Sequence, residues 1–536
     1  MNAIKLSVLF VLLLLVAFFS GVSAGTDPLS KANRLPASLE KKVQDFQHAL
    51  EANGYEVLRG YWDLWTAEDC KYSLRTVGFC YGNNPTAPYA MAFVPAWKDE
   101  FVDKSMKHVF TQERKGMNPN YRLGKREAIV VLAEMPPPAR YFGYQTFVST
   151  REALLNTDDD VYKILTENEQ DDLKQIVFGF SPNPDRMMML ASIGDTINNV
   201  VIEEQTDEIW DQEQQRFFVT TPNKKMAEAM IDAFESVGVD KENVFTEPVS
   251  PYLVDIGYGP EADDFFTVIR YSMPNDKPLG EKWREQLPLT ILRVRYPDDN
   301  HKDGKISFCP FAIPEYEKKE ANYDENALQD DLSSLVEAVK EYWGQTKAET
   351  ANFNNLSILV DLVGQHCLGH DGPPTFAYNI TLPRGPMNCL GDSQDADYQI
   401  SGGTYHLDDG QVIAVVGTLG TETGNATYTS LSVNWFPILY GVLNSDDPVL
   451  KGSAVKFKYA VSDYKKFYVY YYARDCSGLY PYCQEISRKL VPRGGTIKIA
   501  QRNYVNPDSR RGPDPWQMLN PVAIEFDGSK GKRPEM

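Results

Sequence analysis

A chain of 536 residues with 43% apolar side chains is long enough for several packed domains and too apolar to be disordered. Its formal net charge of −20, from 74 acidic against 54 basic side chains, argues against a nucleic-acid backbone or an anionic lipid surface as partner.

The first element in chain order is a leader. Lys5 gives a positive start, residues 6–19 form an almost unbroken apolar run, and Val22-Ser23-Ala24 is the small-residue pattern that signal peptidase accepts before Gly25. The run is about fourteen residues, short of the ~20 that a bilayer span needs. Residues 1–24 are therefore expected to be a signal peptide, and the mature protein to be secreted, extracellular and off the membrane. That address permits disulfides and attached glycans.

Residues 25–125 are expected to hold an N-terminal helix and a disulfide-stapled segment. Ser38 is placed to cap a helix with Leu39, Val43, Phe46 and Leu50 on one stripe and Gly54 as its stop. Over 126–345 the pattern predicts an α/β domain with a connecting helix. Strands are expected at 128–133, 186–193, 217–220, 265–271 and 289–296. One helix shows Met226, Met230, Ala233 and Val237 before Gly238, and the connecting helix spans 326–343. Residues 128–133 are continuously apolar, as in a strand buried on both faces. The expected fold class is thus an α/β N-terminal half, a mostly parallel or mixed sheet with flanking helices.

A mainly antiparallel β domain, sandwich or barrel, is expected over 346–536. Its strands are predicted at 411–418, 426–433, 453–461, 467–473 and 496–500, with Asp409-Gly410 as a hairpin turn. Alternation puts Tyr468, Tyr470 and Tyr472 on one face, and packing against a partner sheet is the expected use of that ladder.

Seven cysteines are present. Local spacing suggests the pairs Cys70–Cys80, Cys367–Cys389 and Cys476–Cys483, leaving Cys309 as a buried small apolar side chain, with intermolecular pairing as the alternative. Asn355, Asn379 and Asn425 each open a glycosylation tripeptide and are expected on surface loops.

Candidate chemistry begins where an open α/β sheet gathers ligands, beyond the carboxyl ends of its strands. The segment 136–145 offers Arg140, Tyr141, Tyr144 and Gln145: a cation, stacking faces and hydrogen-bonding groups. The neighbouring segment 194–199 adds Asp195 and Asn198. The structural alternative is an Arg140–Asp195 pair that merely closes the sheet end. His366 and His370, with His406 or Asp371 to complete the set, have a spacing that zinc accepts on a helix, although Gly369 and Cys367 lie between them. Asp392, Asp395 and Asp397 are hard donors for structural calcium, outside the usual calcium-loop pattern. No cofactor is firmly implied.

Gly391-Asp392-Ser393 resembles the nucleophile block of secreted GDS-type esterases, but no Asp-x-x-His follows to activate the serine. Gly257-x-Gly259-x-x-Ala262 is followed by Asp263-Asp264, whose charge would oppose a pyrophosphate. The catalytic set is therefore unknown. The expected function is binding of a small polar ligand or glycan in a crevice of the α/β domain. The alternatives are a secreted hydrolase using carboxylates such as Asp195, assisted by metal at His366 and His370, and an extracellular matrix or cell-wall interaction protein.

Overall fold

The computed structural model describes residues 33–527 apart from 77, 79, 81–83, 85–87, 107–113, 159, 168–170, 180, 182, 213, 298–305, 315–318, 357–367 and 369–386. Among the described residues the chain builds three sheets.

The first sheet has five strands in the order β1 (Glu56–Arg59), β12 (Leu289–Arg295), β5 (Glu127–Glu134), β9 (Gln215–Thr221) and β10 (Val244–Pro248). The second follows the path β2 (Tyr61–Leu64), β3 (Tyr89–Pro95), β11 (Asp264–Pro274), β6 (Ala139–Glu152) and β7 (Arg186–Ser192). Two short strands join it, β4 (Met117–Asn118) on β3 and β8 (Ile197–Asn198) on β6. The third sheet curls into a half-barrel. Its order is β18 (Tyr440–Asp446), β17 (Tyr428–Phe436), β21 (Thr496–Tyr504), β14 (Ala396–Ser401), β13 (Glu349–Asn355), β22 (Val522–Asp527), β16 (Gln411–Thr418), β19 (Phe467–Ala473) and β20 (Cys483–Glu485). β15 (Tyr405–His406) pairs with β21.

The N-terminal half is therefore β-rich and mainly antiparallel, not the mostly parallel α/β layer that the alternating pattern suggested. In its two sheets the parallel pair is β9–β10, joined through the helix Lys224–Ser236. The reason lies in the connections. Parallel neighbours need a crossover of a dozen or more residues. Between β5 and β6 there are only Met135-Pro136-Pro137-Pro138, and β6 then runs in the second sheet. Residues before 126 are not a separate layer either, since they supply β1 to the first sheet and β2, β3 and β4 to the second.

The unbroken apolar run does mark a strand buried on both faces. Ala128, Val130 and Leu132 face Leu39, Val43, Phe46 and Leu50 of the helix Ala37–Ala52 and Met226, Met230 and Phe234 of the helix Lys224–Ser236. Ile129, Val131 and Ala133 face the second sheet, against Phe142, Tyr144, Val148 and Ile269. Ser38 sits inside the first helix rather than at its cap, which is Pro36.

In the C-terminal half, Tyr468, Tyr470 and Tyr472 are buried against Ile413, Val415 and Leu431, so the ladder is core. The strand expected at 453–461 is instead a short 3-10 turn, Ser453–Phe457, followed by further turns. Its buried residues Ala454, Phe457 and Val461 recur at three and four, a helical spacing rather than a period of two.

Cys70–Cys80 and Cys476–Cys483 are bridged, and Cys389 is disulfide-bonded, while Cys367 lies outside the described residues. Cys309 is a free thiol, half-buried rather than fully covered. Among the described residues no helix is long and apolar enough to cross a membrane, and the leader 1–24 lies outside them. Replacing Cys476 and Cys483 together by serine is expected to cost about 2–3 kcal/mol, the closure entropy of a short loop. Urea unfolding of the double variant beside the parent measures it; an unchanged midpoint would show that the bridge contributes nothing.

Candidate functional site

Strand alternation decides which side chains of the second sheet face its sister sheet and which face the half-barrel. On β6, Phe142 and Tyr144 enter the inter-sheet core, so Tyr141, Gly143 and Gln145 point the other way. The register sets Arg270 of β11 beside Gly143 and beside Tyr89 of β3, and Ser272 beside Tyr141. Opposite them, the third sheet presents Tyr398 of β14, Arg502 and Tyr504 of β21, and Tyr428 and Ser430 of β17, again in register. The two faces meet as an aromatic, polar seam. Tyr141 lies 4.6 Å from Tyr504 between ring centroids, and Tyr428 stacks on Tyr504 at 5.3 Å. The Arg270 guanidinium is 5.4 Å from the Tyr141 ring, and that of Arg502 is 5.9 Å from the Tyr398 ring.

The segment that enters β14 stitches the halves together along the edge strand β7. Cys389 N donates to Met189 O at 2.7 Å and Gly391 N to Leu190 O at 2.9 Å. Asp392 then accepts from Ser192 N at 2.7 Å and from Ser192 Oγ at 2.6 Å. Burial raises the Asp392 carboxyl above its ordinary range, and the Ser192 bonds draw it back.

Arg270 is the centre of the seam, with 5% of its surface exposed. Nη2 donates to Gln145 Oε1 at 2.9 Å and lies 3.5 Å from Asp395 Oδ1, and Nη1 donates to Ser393 Oγ. Nε is buried and has no hydrogen-bond partner, and neither has the buried Ser272 Oγ. Burial works against the charged guanidinium, but acidic groups beside it, Asp395 among them, hold it above its ordinary range. Burial pushes the Tyr141 hydroxyl well up, with Arg270 opposing, and it raises Tyr398 and Tyr504 too. At neutral pH the seam therefore holds charged arginines among neutral phenols. Tyr89 and Tyr398 are half-buried, while Arg502 lies deeper at 7% exposure.

Gly143 is needed for this arrangement. A Cβ there would come 2.6 Å from Tyr141 Oη and 2.9 Å from Thr196 Cγ2, so any side chain would lift the ring.

No family model and no curated protein matches the chain. A crystal structure of an uncharacterized protein from Burkholderia cenocepacia aligns over 95% of this chain and 92% of its own, at 9% identity and a TM-score of 0.36, a likeness that carries no argument about the site.

The segment 136–145 is not a loop, because β6 begins at Ala139, and the alternation of that strand separates the predicted residues. Tyr141 lines the seam. Gln145 fixes it: Nε2 donates to Gly194 O at 3.1 Å, and Oε1 accepts from Thr196 Oγ1 at 2.9 Å as well as from Arg270. Tyr144 points the other way, 2.7 Å from Thr220 Oγ1 and stacked on Phe218 at 4.6 Å, which makes it core. Arg140 is exposed at the strand start, where its charge is felt by Asp447. Asp195 does not pair with Arg140; it meets Arg511 Nε at 3.1 Å, an ion pair without well-directed hydrogen bonding. Asn198 caps the helix Asn199–Thr206, accepting from Val200 N and Val201 N, and donates to Arg510 O at 2.7 Å and to Asp395 Oδ2 at 3.4 Å.

The metal-directed candidates fare differently. His366 and His370, with Asn379, lie outside the described residues. Asp392, Asp395 and Asp397 turn to separate partners, Asp397 toward Asn355 at 2.8 Å, so they do not assemble a calcium cage. Among the described residues no group of three or more His, Cys, Asp or Glu is placed to hold a metal ion.

Two sequon asparagines are not on open loops. Asn425 is 0% exposed, and its Nδ2 donates to Tyr323 O at 2.9 Å and Glu325 Oε1 at 3.1 Å. A glycan on that nitrogen would leave a buried carboxylate short of a partner, so the surface expectation for Asn425 is corrected. Asn355 is half-buried with its amide directed to Asp397 and to Pro515 O at 3.3 Å.

Arg270, Tyr398, Arg502 and Tyr504 were not singled out in the sequence. The available signal was a charged side chain inside an apolar strand, Val268-Ile269-Arg270-Tyr271.

Proposed function

We propose that this chain is a secreted, disulfide-bonded protein that binds a polar small molecule of sugar-like size in the seam between the seven-stranded sheet and the half-barrel. One observation carries the reading: Arg270 is buried among tyrosines from both sheets with a donor unspent. Buried polar groups are normally satisfied, and an unsatisfied one at an aromatic-lined junction marks a place for a ligand group. Tyrosine pairs a flat apolar face with a hydroxyl, which suits a sugar-like ring. The two disulfides support an oxidising address.

The test is thermal unfolding of the mature protein against panels of sugars, sugar acids and small carboxylic acids. At least one class is expected to raise the midpoint by several degrees, and Tyr398→Ala to abolish that shift without lowering the unliganded midpoint by a comparable amount. A flat response across all panels would remove the reading.

A further inference from the structure

We propose that the turn-rich segment 451–466 and the disulfide-bridged loop Cys476–Cys483 together form a docking surface for an acidic polysaccharide, a linear chain of carboxylated or sulfated sugars. The surface belongs to the half-barrel and does not involve the seam, so the two readings stand or fall separately.

The first observation is a local reversal of charge. Segment 451–466 carries Lys451, Lys456, Lys458, Lys465 and Lys466 against one acid, Asp463, in a chain whose net charge is −20. The fold turns this excess outward. Leu450, Ala454, Phe457 and Val461 enter the core behind it, which leaves Lys451, Val455, Lys458, Tyr459 and Lys465 exposed. Val455 N donates to Gly452 O at 3.1 Å, Ala460 N to Phe457 O at 2.9 Å and Lys466 N to Asp463 O at 3.0 Å. These short turns gather the ammonium groups instead of stringing them along an extended chain.

The acids that border the surface are mostly engaged. Asp463 pairs with Lys466 at 2.9 Å and Glu422 with Lys451. On the helix Gln329–Tyr342, Glu337 pairs with Lys340 at 2.8 Å, and Glu341 is exposed. Among the described residues Lys458 and Lys465 make no ion pair. Each is a hydrated point charge that an anionic chain can meet in turn.

The second observation is aromatic. Tyr459 is 70% exposed and Tyr480 is 57% exposed. Tyr480 stands inside the loop that Cys476–Cys483 closes, and its Oη donates to Glu485 Oε1 at 2.9 Å, so its ring is ordered before anything binds. The two segments adjoin: a Cβ on Gly452 would lie 3.6 Å from Tyr482 Oη, and Phe457, Val461, Cys476 and Leu479 share one core cluster. Exposed rings beside ammonium groups fit a chain that repeats a flat ring and an acidic substituent. The disulfides fit the extracellular address where such polysaccharides occur, and where nucleic acid is not the ordinary partner. The acidity of the whole chain does not forbid this contact. At physiological salt the screening length is ~8 Å, so remote carboxylates are largely screened and the local lysine excess decides.

The experiment is titration of the mature protein with alginate and with dextran sulfate, beside neutral dextran as the uncharged chain. At least one acidic chain is expected to bind, with dextran at least tenfold weaker and the acidic affinity falling as salt rises. Lys458→Ser combined with Lys465→Ser is expected to weaken that binding about tenfold at an unchanged melting midpoint, the loss of two exposed ion pairs. Tyr459→Ala is expected to weaken it several-fold. Lys277→Ser combined with Lys282→Ser removes the same charge from exposed positions of the N-terminal half and is expected to change nothing. Equal losses in the two double variants, dextran binding as tightly as the acidic chains, or no binding by either acidic chain would each overturn the proposal. Equally tight binding of poly(dT) would overturn the choice of a polysaccharide. Sedimentation as a dimer that the Lys458 and Lys465 double variant dissociates would overturn it too, in favour of a second copy on this surface.

Discussion

Replacing Glu127 by alanine is expected to destabilise the protein by about 3–5 kcal/mol, the cost of removing one partner from a buried ion-pair network. Glu127 is fully buried at the start of β5. Oε1 accepts from Trp97 Nε1 at 2.8 Å and from Arg293 Nε at 2.7 Å, and Oε2 accepts from Gly124 N at 2.9 Å and Tyr258 Oη at 2.8 Å. The one carboxylate thus joins strands of the first sheet to the segments that follow β3 and precede β11 in the second. Arg293, 0% exposed, would keep Glu100 at 2.6 Å and the carbonyls of Pro95 and Arg122, but would lose one of its two carboxylate partners. Three further donors would be stranded. Urea unfolding followed by tryptophan fluorescence reports the change, since Trp97 is itself a donor to Glu127. Adding Arg293→Met is not expected to recover the loss, because it leaves the buried Glu100 carboxylate without its cation. A single variant within 1 kcal/mol of the parent would mean that water replaces the carboxylate, contrary to this burial.

This hub shows what local sequence reading reaches and where it stops. Residues 128–133 read correctly as a strand covered on both faces, because continuous apolarity is a local property. The helix Lys224–Ser236, the ladder at 468–472 and the short-range disulfides Cys70–Cys80 and Cys476–Cys483 were legible for the same reason. Strand direction was not. The choice between parallel and antiparallel depends on which strands become neighbours, and β12 pairs with β5 across some 160 residues of intervening chain. Segment 453–461 was misread because valine and phenylalanine favour strands, while the spacing of its buried residues is helical.

The site was partly legible for a related reason. Tyr141, Gln145, Asp195 and Asn198 all come close to the seam, because 139–145 and 194–198 are adjacent through the β6–β8 pairing. Reading 136–145 as a loop treated Tyr141 and Tyr144 alike, whereas strand alternation sends them to opposite faces of one sheet. The opposing wall, with Tyr398, Arg502 and Tyr504, comes from strands more than a hundred residues away, and no local pattern announces that two distant faces will meet.

Stability is expected to fall as pH rises from about 5 to 8, with Glu247 as one of the contributors. Its carboxyl is fully buried on β10, accepting from Thr146 N at 2.7 Å and Thr220 Oγ1 at 2.6 Å. Burial pushes it up to about 7 from an ordinary 4.5, against the opposing pull of those threonines. The folded state therefore holds the proton more tightly than the unfolded chain. The contribution is complete below about 4.5 and is lost as pH climbs through about 7. A shift of that size corresponds to roughly 3 kcal/mol. Asp397, raised to about 7 by burial, adds in the same direction, while Glu40 and Asp103, held below their ordinary values, act only toward acid. Glu247→Gln keeps the shape, and the rotatable Thr220 hydroxyl can accept from the new amide. It is expected to flatten the urea midpoint between pH 5 and 8 by about 3 kcal/mol. The same carboxyl fastens Thr146, next to the Gln145 that positions Arg270, so ligand binding should weaken over the same interval in the parent but not in the variant. A parent equally stable at both pH values would show that Glu247 is hydrated and ordinary.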